Sequence, residues 1–442
     1  MRYAVVTFGC RVNQADSLGF EEALIAAGAT PAPPEAADLV VVNTCSVTAT
    51  ADQGARQTIR RIARDNPGAR IVVTGCYATR RPDEIAALPS VARIVRNDDK
   101  PKLIPLISLP SPASASAASA LSAASAVSSR SSSGDGPCGS AIEPGIAGRT
   151  AFTLRVQTGC AEPCSYCIIP STRGAPRSVP IADVIAEIDR VVAAGFKEIV
   201  LTGVHLGSYG RDLAPRSSLI DLLRAMCRAT ASPETAILFR ISSLEPMDCS
   251  CEIVDLVATS GRVAPHFHLP LQHASDRVLA AMRRPYTIGY YARLVDEIRE
   301  RIPHAAIGTD VIVGFPGETD DDFDELTTYL EHSPVTHVHV FPYSDRPGTI
   351  ASTLGNRAPG TVVRERARIV REIGQRLARR FRGSQIGTTQ RALTIDDGSV
   401  AVTGNYLKLT LTDPPALHRN VWVDVRVSSD ERGRLVGAVT RY

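Results

Sequence analysis

No apolar run in this chain approaches the roughly 20 residues that a membrane-crossing helix requires, so no membrane association is expected. The amino terminus lacks the basic, apolar and small-residue succession of an export signal and opens directly on a strand-like run, Tyr3 to Thr7. An excess of one charge is lacking too. The 49 Lys and Arg face 46 Asp and Glu, a net +3, so any nucleic-acid surface has to be local. The ten cysteines are scattered over 442 residues without the density of a disulfide scaffold. Together these absences point to a reduced, cytoplasmic setting. The length suggests about two to four domains, and 44% apolar content is ordinary for a folded protein.

What is present is concentrated in one loop, Gly159-Cys160-Ala161-Glu162-Pro163-Cys164-Ser165-Tyr166-Cys167, which follows a strand-like run at 153–157. Its C-x-x-x-C-x-x-C spacing lets three thiolates hold three irons of a cubane and leave the fourth iron free. A structural zinc site is the rival, but such a site wants four ligands, and no fourth Cys or His lies nearby. Three unligated thiols are the remaining reading, and they leave the clustering unexplained. With an aromatic residue before its last cysteine, the loop resembles the signature of the radical S-adenosylmethionine superfamily. The resemblance implies a 4Fe–4S cluster on Cys160, Cys164 and Cys167, S-adenosyl-L-methionine on its open iron, and Tyr166 against the adenine.

The first hundred residues repeat one pattern. Strand-like runs at 3–7, 39–43 and 71–74 end at Cys10, Cys45 and Cys76, with helix-like stretches at 17–27 and 51–65 between them. Strands alternating with helices predict a parallel α/β sheet, whose strand ends converge on one edge. Three cysteines at the same offset then meet there as a second three-thiolate site; separate burial of each is the alternative. The segments Thr7-Phe8-Gly9-Cys10-Arg11-Val12-Asn13-Gln14, Asn43-Thr44-Cys45-Ser46 and Thr74-Gly75-Cys76-Tyr77 resemble the amino-terminal domain of the methylthiotransferases. That resemblance implies an auxiliary 4Fe–4S cluster on Cys10, Cys45 and Cys76. On the helix at 51–65, Arg56, Arg60 and Arg64 share one face, by default a solvated one.

From Pro110 to Gly148 the composition shifts to Ala, Ser, Gly and Pro, which predicts a flexible linker with Cys138 as an unattached thiol. Beyond it, strand-like runs at 153–157, 198–202, 237–242, 266–269, 307–313 and 337–341 alternate with helical patterns at 181–194, 219–228, 290–301 and 321–331. Six such units predict an incomplete parallel (β/α)6 barrel, with chemistry at the strands' carboxyl ends. Gly203, Ser243, Glu245 and Gln272 fall just past strand ends and are candidates for cofactor contact. His266 and His268, like His337 and His339, alternate along a strand and are read as packed side chains, with no metal assigned. Cys227 is read as core, and Cys249 and Cys251 as plain thiols.

These segments, notably Leu201-Thr202-Gly203-Val204-His205-Leu206-Gly207, Ser242-Ser243-Leu244-Glu245-Pro246 and His266-Phe267-His268-Leu269-Pro270-Leu271-Gln272, resemble the methylthiotransferase branch that modifies N6-threonylcarbamoyladenosine in tRNA. The chain departs from the family wording at Ala161-Glu162-Pro163 and at His273-Ala274-Ser275. Residues 363–382 are helix-like with eight arginines against two glutamates. Short alternating runs at 392–395, 400–402, 407–411 and 421–427 predict a small β domain. Gly404-Asn405-Tyr406 gives it a resemblance to the TRAM domain, an OB-like RNA-binding barrel.

The expected division is 1–109 (auxiliary cluster), 110–148 (linker), 149–360 (radical core), 361–382 (basic helix) and 383–442 (TRAM-like). The expected fold class is α/β with that small C-terminal β-barrel. The resemblance implies transfer of a methylthio group to C2 of N6-threonylcarbamoyladenosine at position 37, beside the anticodon. A cofactor radical is needed because no side-chain acid or base activates that C–H. The implied partners are the anticodon loop of tRNA and an electron donor such as flavodoxin or ferredoxin. Two alternatives stay open: a sister enzyme acting on isopentenyladenosine or a ribosomal-protein aspartate, and a non-catalytic iron–sulfur or zinc RNA-binding protein.

Overall fold

Apolar runs without polar alternation form strands that are covered on both faces, and the amino-terminal part of the chain is built on them. In the computed structural model, which describes residues 1–107, 150–232, 235–412, 417–430 and 433–441, β1 (Arg2–Thr7), β2 (Thr30–Pro31), β3 (Leu39–Thr44), β4 (Arg70–Gly75) and β5 (Val91–Val95) form one sheet. Its order is β2-β1-β3-β4-β5 and every pairing is parallel. The central strand β3 is buried along its whole length. Helices Arg11–Ala26 and Ala49–Asp65 cover the sheet, the second capped by Thr48, whose side chain accepts from the Ala51 N–H. The linker expected at 110–148, with Cys138, lies outside the described residues.

The second body is the expected open barrel. Its strands are β6 (Phe152–Arg155), β9 (Glu198–Thr202), β10 (Leu238–Ile241), β11 (His266–His268), β12 (Ala306–Val313) and β13 (His337–Pro342), and a short ribbon, β7 (Gln157–Thr158) with β8 (Arg177–Ser178), follows the first of them. They pair in parallel as β6-β9-β10 and β11-β12-β13, and parallel bridges Phe239–Val263 and Ser243–His268 join the two halves. The core under the strands is a continuous apolar cluster that includes Leu154, Ile199, Leu201, Phe239, Ile307 and Val313.

The basic stretch forms one helix, Gly360–Gln385, laid on β13 with Gly374 against Val338. Half of its arginines are engaged within the protein: Arg366 with Glu318 and Asp320, Arg368 with Glu365 and Glu372, Arg376 with Glu331, Arg380 with the Ser333 carbonyl. Then β14 (Thr389–Ile395), β15 (Val400–Thr403), β16 (Lys408–Thr412), β17 (Trp422–Ser429) and β18 (Leu435–Arg441) close a barrel in the order β14-β15-β16-β18-β17. It docks on the amino ends of the central strands. There Trp422 Nε1 donates to the Ala236 carbonyl at 2.7 Å and Asn405 Nδ2 to that of His304 at 2.9 Å. Among the described residues, no helix is long and apolar enough to cross a membrane.

Candidate cluster and cofactor site

Cys10, Cys45 and Cys76 follow β1, β3 and β4, and side-chain bonds lace the three loops together. Asn13 Nδ2 donates to the carbonyls of Phe8 (2.8 Å) and Thr44 (3.0 Å), which ties the Cys10 turn to the end of β3. Thr44 Oγ1 donates to the Thr74 carbonyl at 2.6 Å and accepts from the Ala78 N–H, which ties β3 to the Cys76 turn. Gly75 has φ +99°, and a Cβ there would stand 2.1 Å from the Thr44 carbonyl oxygen, so only glycine fits. The three sulfurs sense one another. Burial raises the Cys45 thiol to about 11, and Cys10 and Cys76 add to the rise. Burial also opposes the Cys76 thiolate, yet Arg173 and Lys100 outweigh it and lower its pKa. A three-sulfur set beside two cations fits an anionic iron–sulfur cluster.

The C-x-x-x-C-x-x-C loop hangs from the end of β6. Gln157 Nε2 donates to the carbonyls of Thr158 and Gly159, while its Oε1 accepts from the His205 N–H at 2.9 Å. Gly203 permits this approach, since a Cβ there would lie 3.0 Å from Gln157 Oε1. On the far side, Ser165 N–H and Oγ–H donate to the carbonyls of Met282 and Ala281. Cys167 is pushed up to about 12 by burial, with Cys164 and Cys160 adding to it. Cys164 accepts a hydrogen bond from Arg284 Nη1 at 3.2 Å, and the same guanidinium pairs with Glu245. Burial would push the His205 imidazolium down, but Asp248, at 2.9 Å, and the Cys160 sulfur lift its pKa to about 10. Three thiols on one short loop, with the buried Arg284 and His205 beside them, again fit a cluster.

The other candidates line the same barrel mouth in different ways. Tyr166 is packed with Val278, Met282 and Phe315. Ser243 is exposed at the end of β10. Gln272 sits at φ +66°, strained for a residue with a Cβ; its N–H donates to the Asp310 carbonyl and its carbonyl accepts from Ile312. Sequence reasoning missed Gln157, Arg173, His205 as a charged group, Lys100 and Arg284. Glu162, one of the departures from family wording, lies 3.8 Å from His205.

Residues beside the two cysteine groups bond across the seam between the sheet domain and the barrel. Arg173, on the helix Ile169–Arg173 just past the loop, donates to Asn13 Oδ1 at 2.5 Å and lies 3.5 Å from Asp16. Asp16 is buried and also pairs with Lys100 at 2.5 Å and Arg155 at 2.7 Å. Burial opposes its charge, and the three cations outweigh that to hold its carboxyl well below the usual range. Asn97 Nδ2 donates to the Thr172 carbonyl at 2.8 Å and reaches Cys76 Sγ at 3.6 Å. Arg346 closes the other flank on Asp52 at 2.8 Å.

Comparison with known proteins agrees with this geometry. Residues 2–96 match the uncharacterized protein family UPF0004, and residues 154–330 match the radical SAM superfamily. The threonylcarbamoyladenosine tRNA methylthiotransferase MtaB of Aquifex aeolicus is 36% identical, over 92% of this chain and 96% of its own. A tRNA-2-methylthio-N(6)-dimethylallyladenosine synthase of Paenarthrobacter aurescens is 32% identical, over 95% of this chain and 79% of its own. Among solved structures, the radical S-adenosylmethionine methyltransferase TsrM from Kitasatospora setae, with cobalamin and a [4Fe-4S] cluster bound, superposes with a TM-score of 0.55. It covers 79% of this chain and 74% of its own at 16% identity, a likeness of fold. Identity of 31–36% along most of five relatives bearing the first of these names makes this chain a member of the radical S-adenosylmethionine methylthiotransferase family, in its threonylcarbamoyladenosine tRNA branch.

Proposed function

We propose that this chain adds a methylthio group to C2 of N6-threonylcarbamoyladenosine next to the anticodon of tRNA. It uses S-adenosyl-L-methionine and two 4Fe–4S clusters, one on Cys160, Cys164 and Cys167 and one on Cys10, Cys45 and Cys76. The observation that carries the reading is the presence of two three-thiol groups beside one seam, where Arg173 bonds to Asn13 and Asn97 joins the Thr172 carbonyl to Cys76. When bound, the clusters and S-adenosylmethionine supply radical and sulfur chemistry that no side chain can.

The chain's own residues hold that chemistry in place. Gln157 and Gly203 fix the loop that carries Cys160. Arg284 spans Cys164 and Glu245, so it offers positive charge both to the cluster and to the cofactor that Glu245 and Ser243 would contact. Tyr166 and Gln272 complete the cofactor's surroundings. The described part of 1–109 holds the auxiliary site and that of 149–360 the radical core, while the basic helix and closed barrel beyond grip the RNA. The anticodon loop suits recognition because its bases can be splayed out and stacked. We place the enzyme in the cytoplasm, with a flavodoxin- or ferredoxin-type donor.

The test is anaerobic iron and sulfide analysis after reconstitution. Wild type should hold about eight irons, and each triple Cys→Ala variant, of Cys10/Cys45/Cys76 or of Cys160/Cys164/Cys167, about four. Mass spectrometry of tRNA nucleosides should then show the 2-methylthio product from wild type and neither variant. Retention of all iron after loss of Cys10, Cys45 and Cys76 would overturn the two-cluster reading. Methylthiolation of isopentenyladenosine instead would move the chain to the sister activity.

A further inference from the structure

We propose that His268, Asp310 and His339 form a binding site for one divalent transition-metal ion of zinc-type chemistry, separate from both cysteine groups. The three residues stand on adjacent parallel strands, β11, β12 and β13. Asp310 is the direct register partner of His339, and His268 is the partner of Gly308. Alternation along β12 puts positions 308 and 310 on the same face, so all three side chains share one surface. Gly308 is what lets them meet: a Cβ there would lie 3.0 Å from His268 Nδ1. With no side chain in the way, the His268 ring lies across β12 and brings Nε2 to 3.0 Å from Asp310 Oδ1. The His339 ring stands 5.5 Å from that of His268, centre to centre, and one ligand atom from each residue lies within 4.8 Å of the other two.

A metal with bonds of about 2.0–2.2 Å sets its donor atoms roughly 3–3.5 Å apart, so small side-chain rotations gather this set. Two imidazoles and one carboxylate form an open three-ligand site, and that donor set suits zinc or iron(II). His268 and Asp310 are half-buried and His339 is exposed, which provides both a desolvated seat and an entry path. Arg240, one neighbouring cation, is paired with Glu198 at 2.7 Å. A plain His268–Asp310 hydrogen bond accounts for two of the residues but leaves unexplained why a third strand aims His339 at the same place. The reading that each alternating histidine pair is only packing is thus revised: the ligands come one from each pair, with Asp310 between them. The site stands independently of the methylthiolation reading.

The experiment uses the full chain with both clusters assembled, dialysed anaerobically against Zn2+, with zinc and iron measured together and the zinc shell examined by X-ray absorption. One zinc per chain is expected, at unchanged iron, with a nitrogen/oxygen shell at about 2.0–2.1 Å. Asp310→Asn and His339→Gln should each weaken zinc uptake by at least the roughly 10–100-fold that even an outer-shell change costs, at unchanged iron, which also reports intact folding. His332→Gln, at the exposed end of the helix Asp320–His332, should keep the zinc. No zinc in wild type, equal zinc in the Asp310 and His339 variants, or a sulfur shell with iron loss would each overturn the site.

Discussion

Glu22 is the residue through which pH reaches the domain seam. It lies on the helix Arg11–Ala26, is 3% exposed, and faces Arg190 of the barrel at 3.4 Å. Burial lifts its carboxyl from 4.5 to about 7, and Arg190 offsets only part of this. The folded value lies above the unfolded one, so the native state binds the proton more tightly. Stability from this group is therefore fully present below about pH 4.5, declines as pH rises through 4.5 to 7, and stays reduced above. Glu22→Gln should raise unfolding stability at pH 8 by on the order of 2–3 kcal/mol and leave it nearly unchanged at pH 4.5. Equal shifts of the denaturation midpoint at both pH values would exonerate Glu22. At this scale the cysteines were legible because their offset from three strand ends is a linear pattern. Arg173, Lys100 and Arg284 were not, since each stands far in sequence from the sulfur it serves, and only the fold brings cation and thiol together.

Elements read well where burial imposes a pattern and badly where it does not. The valine-rich β3 and β4 and the barrel strands from β9 to β13 fall within a residue or two of the predicted runs. β2 has only two residues, and β5 and β18 leave part of their length exposed, so their apolar signal is diluted. The helix Arg11–Ala26 begins well before the predicted position 17, because its first turn carries the Cys10 loop's own polar wording. One element boundary has a functional consequence. Gly159 joins β7 to the cysteine loop at φ +77°, and a Cβ there would lie 1.9 Å from the Ala175 carbonyl oxygen. Backbone on both sides is held, by Gln157 and by the bond from the Cys160 N–H to the Gly174 carbonyl, so nothing can yield cheaply. Gly159→Ala should displace Cys160 and cost the barrel cluster, leaving about four irons on the amino-terminal cysteines. A variant that retains about eight would show that the loop tolerates the shift.

Across the whole molecule, a net charge of +3 cannot by itself attract a polyanion, so RNA affinity has to come from local stripes. The helix Ala49–Asp65 is a weak one: Arg56 is engaged with Tyr77, and Arg64 lies against Asp65. The helix Gly360–Gln385 is better placed. With Arg366, Arg368, Arg376 and Arg380 engaged internally, Arg364, Arg371 and Arg382 are exposed and make no hydrogen bond or ion pair among the described residues. Their spacings of seven and eleven residues are close to whole helical turns, so they form one stripe beside the closed barrel. Each arginine that neutralises a phosphate releases a counterion and adds about 0.7–0.9 to the slope of log affinity against log salt. Arg371→Ala with Arg382→Ala should therefore weaken tRNA binding, flatten that slope by about 1.4–1.8, and leave iron content and folding untouched, because neither side chain holds anything inside the protein. Binding measured at several salt concentrations decides the matter: unchanged affinity and slope would put the RNA on another face, and weaker binding of only some tRNAs at an unchanged slope would mean base readout instead of phosphate contact.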